Sequence, residues 1–147
     1  MSKIRTLASN PLAGFRHEAV PVEAWGGASV IVRAPTPGDH LFHVKLLWDA
    51  AGVDPAKDDE ATVQAKIKAP GVDYTRAAAG LLVRVLFEET ADGPRRIFSD
   101  SEIDEVAVAY GPPHAVLLAK ALELGNLVEG AAAAAKKPSR KRRTSGS

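Results

Sequence analysis

The sequence has no cysteine and a single methionine among its 147 residues. The first absence excludes disulfides, thiolate metal sites and a cysteine nucleophile, and it is the usage expected of a reducing compartment. Aromatic residues make up only 5% of the chain. Leucine, valine, isoleucine and alanine must therefore fill the core, and alanine favours helix while burying little area. No stretch reaches the roughly 18 consecutive apolar residues of a membrane span. Residues 1–10 lack the apolar run of a secretory signal. The expectation is a cytosolic protein with no membrane partner.

Acidic residues are missing from one region altogether. Residues 131–147 contain none, and they carry Lys136, Lys137, Arg140, Lys141, Arg142 and Arg143. The whole chain has 19 Lys and Arg against 18 Asp and Glu, so removing those six cations leaves 13 against 18. A near-neutral total thus hides an acidic module with a cationic extension. Low hydrophobicity and like charge predict that the extension is unfolded. The reading divides the chain into a flexible arm (1–16), a folded domain (17–129) and a disordered basic tail (130–147).

Within the domain, residues 19–25 and 28–33 are β-rich runs flanking Gly26-Gly27, the pattern of a hairpin. Pro21 has no N–H to donate to a ladder, which places the first strand at an edge. A lone hairpin needs a helix against one face, and one follows at once. Thr36 can cap it, Pro37 suits its first turn, Asp39 complements its dipole and Gly52 ends it. A short helix is expected over 61–68. Tyr74, Ala77, Ala78, Leu81, Leu82 and Val85 recur at helical spacing and mark the centre of the core. Residues 95–98 read as a short extended piece, and Ser99 with Glu102 as a capping box. Two more helices follow, one on Ile103, Val106, Ala107 and Tyr110, the other on Val116, Leu117, Ala119, Leu122 and Leu124. The fold class is α+β, mainly α: an N-terminal hairpin packed on four to five helices.

No residue set supports catalysis. His40 and His43 share a helix face, but zinc needs a third protein ligand and Asp39 lies on another side, so both read as surface histidines. Asp58, Asp59 and Glu60 lack the glycine and spacing of a calcium loop and read as a solvated loop or helix start. Glu88 and Glu89 are adjacent, so on a helix they diverge and cannot act as a paired acid and base. Gly26-Gly27 is no phosphate loop, and no nucleophile elbow is present. The chain is expected to be no enzyme, with no catalytic, cofactor or metal residues. Trp48 is expected to pack on the hairpin, whereas Trp25 either covers the turn or anchors a partner. The basic tail either contacts nucleic-acid phosphates weakly or serves as a solubilising tether.

The order of these pieces resembles the tail assembly chaperones of long-tailed bacteriophages. The stretches that carry the likeness are 22–33 (VEAWGGASVIVR), 34–39 (APTPGD) and 81–106 (LLVRVLFEETADGPRRIFSDSEIDEV). The last holds a hydrophobic helix at 81–87, an acidic turn at Ala91-Asp92-Gly93, the apolar pair Ile97-Phe98 and a helix start at Ser99. The resemblance implies a protein of the host cytoplasm, absent from the mature virion. Such chaperones keep the tape measure protein soluble and promote polymerisation of the tail tube around it. A longer form, made by programmed frameshift, recruits the tail tube protein. Codons for Ala135-Lys136-Lys137 can supply the slippery run for such a shift. Trp25, Leu46, Tyr110 and Leu118 are the expected partner-binding residues, as exposed apolar positions. Two other readings remain: a cytosolic nucleic-acid-associated protein using its basic tail, and a structural or completion protein of the virion tail.

Overall fold

The computed structural model describes residues 2–126. The N-terminal arm contains a short helix, α1 (Lys3–Ala8), begun by the Ser2 hydroxyl accepting from the Arg5 N–H at 3.3 Å. None of its residues is buried. The arm is held further along, where Leu12 is buried and the Phe15 ring lies 5.2 Å from the Arg33 guanidinium.

Strands β1 (His17–Val22) and β2 (Ala28–Arg33) pair antiparallel, with Val22 opposite Ala28. Between them Glu23–Trp25 form a 3-10 turn, and Gly26 and Gly27 return the chain at φ 71° and 78°. Two successive residues at positive φ exclude side chains bearing a Cβ at little cost. Helix α2 (Pro37–Ala51) begins as its sequence dictates, with Thr36 and Asp39 exchanging backbone and side-chain hydrogen bonds at 3.0 Å. Helix α3 (Glu60–Lys68) starts one residue earlier than expected. Asp59 caps it by accepting from the Thr62 N–H at 2.8 Å, so part of the acidic run is a helix start.

Helix α4 (Thr75–Val85) is the centre of the core and buries seven residues, among them Leu81, Leu82, Val83 and Val85. It ends sooner than its apolar run suggests. Strand β3 (Leu86–Thr90) follows without a loop and pairs with β4 (Gly93–Arg96) in a second hairpin. Ile31 and Val32 pair with Phe87 and Leu86, which joins the hairpins into one antiparallel sheet of order β1-β2-β3-β4. Glu88 and Glu89 therefore lie on a strand, not on a helix. Successive strand residues point to opposite faces, so the pair is separated even more than a helix would separate it. Pro21 sits on an edge strand, where its missing donor costs nothing.

Helix α5 (Ile103–Ala109) packs on α4, and α6 (Pro112–Leu124) packs on α4, β1 and β2. The helix that covers the first hairpin is thus α6, the last, and not α2, the next in sequence. Helix α2 packs on α4 and α3 instead. This corrects the expected place of Trp48, which is half-buried on α2 and outside the core cluster. Sites on β2, α2, α4 and β4 are stitched by alternating charges. Asp39 accepts from Arg33 and Arg84; Asp100 accepts from Arg84 at 2.9 and 3.0 Å and from Arg96 at 2.7 Å. Burial alone would raise the Asp100 pKa, but the bonds from Arg96 and Arg84 outweigh it and hold the carboxyl below its ordinary value.

Candidate partner-binding site

The strand β1, the turn after it and the first half of α6 diverge enough to leave an apolar groove of about 180 Å³. Val20, Pro21, Val22 and Ala24 form one wall; Pro113, Val116 and Leu117 form the other. The geometry follows from local sequence. Alternation on β1 turns Val20 and Val22 toward α6, while Pro112-Pro113 fix the first turn of α6 and project Val116 outward. Val116 is 60% exposed although it is surrounded by apolar neighbours.

An aromatic stack adjoins the groove in sequence, through Trp25 after its lining residue Ala24 and His114 after Pro113. The Trp25 ring meets His114 edge-on with centroids 5.2 Å apart, and Tyr110 stacks on the other side of His114 at 5.3 Å. Trp25 remains 37% exposed. His114 is buried, and its Nδ1 accepts from the Gly111 N–H at 3.0 Å, which requires that nitrogen to be unprotonated. Burial also lowers the His114 pKa, and desolvation raises that of Tyr110. The imidazole thus caps α6 and ties two aromatic rings to the start of that helix.

Of the four expected partner-binding residues, the fold brings Trp25 and Tyr110 together through His114, a residue the sequence reading passed over. Leu46 and Leu118 lie elsewhere, both half-buried against the core. Leu46 faces Gly80 of α4, so closely that a Cβ at position 80 would collide with Leu46 Cδ1. Tyr110 too is half-buried against the core, so none of Leu46, Tyr110 and Leu118 is the exposed apolar position expected. The Nδ1–H of His43 donates to the Ala77 carbonyl, 2.9 Å away, and burial lowers the pKa of the ring. It is a packed residue rather than the expected surface histidine. His40 is exposed. Among the described residues, no three His, Cys, Asp or Glu side chains are grouped to hold a metal, and no helix is long and apolar enough to cross a membrane. Residues 136, 137 and 140–143 of the basic tail, and the Ala135-Lys136-Lys137 site, lie outside the described residues.

The fold and the groove stand beside similarities to known proteins. No curated protein sequence matches this chain. Among solved structures, the tail assembly chaperone of bacteriophage HK97 superposes with a TM-score of 0.56 at 27% identity, over 84% of this chain and 98% of that one. The model of the phage tail assembly chaperone family matches residues 3–137. The chain therefore belongs to the phage tail assembly chaperone family.

Proposed function

We propose that this protein binds the phage tape measure protein in the host cytoplasm, keeps it soluble, and promotes polymerisation of the tail tube protein around it. The observation that carries this reading is the open apolar groove between β1 and α6, with Val116 exposed in it and the exposed Trp25 next in sequence to its lining residue Ala24. A tape measure is a long, apolar, largely helical chain that aggregates unless its surface is covered. A groove lined by valine, proline and leucine takes such a helix by its apolar face. The net negative charge of the chain outside its basic tail adds repulsion between coated complexes, which favours solubility. The tube protein engages a longer, frameshifted form rather than this chain alone.

The test is co-expression with the tape measure protein of the same phage. The wild-type chain keeps the tape measure in the supernatant after centrifugation and co-purifies with it. A tape measure that stays in the pellet, with the chain itself folded and soluble, refutes the reading.

A further inference from the structure

The groove is apolar at its floor but not neutral at its walls. Glu23 is part of the lining, beside Val22 and Ala24. Glu18 shares the strand face of Val20 and Val22, by the alternation of β1. Across from them, α6 offers a single lysine. Lys120 Nζ reaches Glu18 at 3.3 Å and Glu123 at 3.2 Å, so it is already divided between two carboxylates. Together the strand, the turn and the helix carry Glu18, Glu23 and Glu123 against Lys120 alone, with His17 and His114 as their titratable bases.

From this we infer that the segment docked in the groove is a basic amphipathic helix: apolar on the face that enters, lysine- or arginine-rich on the flanks. This rests on the proposed client binding and specifies its chemistry. The apolar face would cover Val116, Pro113 and Val20. Its flanking cations would meet Glu23 and compete with Lys120 for Glu18. An acidic helix with the same apolar face would meet an uncompensated carboxylate wall, and like-charge juxtaposition at an interface is a strong discriminator. Opposite charge also speeds encounter, so association should fall with added salt.

Two synthetic 18-residue helical peptides test this, with identical leucine and alanine faces and with either lysine or glutamate on the remaining positions. Affinity for the full chain is read by calorimetry. The site is read from the emission of Trp25 in a Trp48→Phe variant, with the wild type as control for folding. The lysine peptide should bind about tenfold or more tighter than the glutamate peptide and shift the Trp25 emission. Val116→Asp, at an exposed position, should abolish that shift without altering the circular dichroism. Glu18→Lys with Glu23→Lys should invert the preference. Equal binding of both peptides, or binding that leaves Trp25 unchanged, overturns the inference. So does an emission change that follows protein concentration without peptide, which would assign the groove to a second copy of the chain. The tape measure assay separates the two levels. Solubilisation that survives Val116→Asp removes the client from this groove and leaves the chaperone reading intact. A charge preference without solubilisation refutes the chaperone reading and leaves the chemistry of the groove standing.

Discussion

Arg33 and Asp39 form an ion pair that is almost fully withdrawn from water, with side chains only 9% and 6% exposed. The arginine closes β2 and the aspartate opens α2, so the pair fixes the angle between the first hairpin and the helical layer. Both partners are also satisfied elsewhere. Arg33 donates to the carbonyls of Ala34 and Arg84, each at 3.2 Å, and lies 4.9 Å from the Phe87 ring; Asp39 accepts from the Thr36 N–H at 3.0 Å. Asp39 also meets Arg84 at 3.4 Å, whereas Arg33 has Asp39 as its counter-charge, so removing Asp39 leaves a buried guanidinium without one, which costs about 3–5 kcal/mol. Asp39→Ala should therefore lower the urea midpoint severely. Asp104→Ala, which breaks the exposed Arg76–Asp104 pair, should leave it unchanged. Replacing Arg33 and Asp39 together by Met and Leu should recover most of the loss, since neither charge then remains unpaired.

The contact between Leu46 and Gly80 makes a second prediction. Helices α2 and α4 approach each other so closely there that Gly80 has Leu46 and, at 3.6 Å, Phe42 against the place of its missing side chain. Gly80→Ala gains helix propensity but must displace Leu46, and overpacking of this kind costs about 1–3 kcal/mol. Leu46→Ala alone should also destabilise, by loss of packing. The double variant should be more stable than the sum of the two losses predicts, because each change makes room for the other. Chemical denaturation of the four proteins closes the cycle. Additive losses would mean that the helices separate instead of the side chain yielding.

Local signals were legible in the sequence wherever neighbouring residues satisfy each other. Thr36, Pro37 and Asp39 start α2 and Gly52 ends it without help from the rest of the chain. What the sequence hides is decided at long range. The run Leu81 to Phe87 is apolar at both helical and strand spacing. Only pairing of Leu86 and Phe87 with Val32 and Ile31 turns its end into a strand. Trp25 and Tyr110 were legible as aromatics near chain turns, but the residue that joins them was not. His114 follows two prolines at a helix start, where proline alone explains the turn and a histidine is an unusual cap. Leu46, Tyr110 and Leu118 read as exposed and are half-buried for the same reason: an amphipathic period tells which face is apolar, not which neighbour covers it.

The two packed histidines set a pH dependence. Burial lowers the pKa of His43, with His40 adding to the effect and the Ala77 carbonyl opposing it; burial likewise lowers that of His114. In both cases the folded value lies below the ordinary 6.5. The native state then binds fewer protons than the unfolded chain, so stability rises with pH across this window. The contribution is complete above 6.5 and is lost as pH falls through the folded values. Asp100 adds a lower window, complete above 3.8 and lost beneath it, because its folded value is depressed. Urea midpoints should fall between about pH 7.5 and pH 5.5, and again on further acidification. His43→Gln with His114→Asn should flatten the first fall and leave the second. An unchanged first fall in that variant would assign it to other groups.

Among the described residues the core ends at Leu124, and the ion pairs that join its elements run from Glu18–Lys120 to Arg33–Asp39 and Arg96–Asp100. The described core and ion pairs are formed by residues up to 124 alone, so the fold is expected not to depend on the six cations of 136–143. A chain truncated after Gly130 should unfold at the same urea midpoint as the full chain and keep the tape measure in the supernatant. The same truncation removes the chain's only dense cationic stretch while the remainder stays acidic. Retention on a DNA column at low salt should therefore be a property of the full chain alone, weakening steeply as salt is raised. Loss of tape measure solubilisation in a truncated but equally stable chain would move client binding from the groove to the tail.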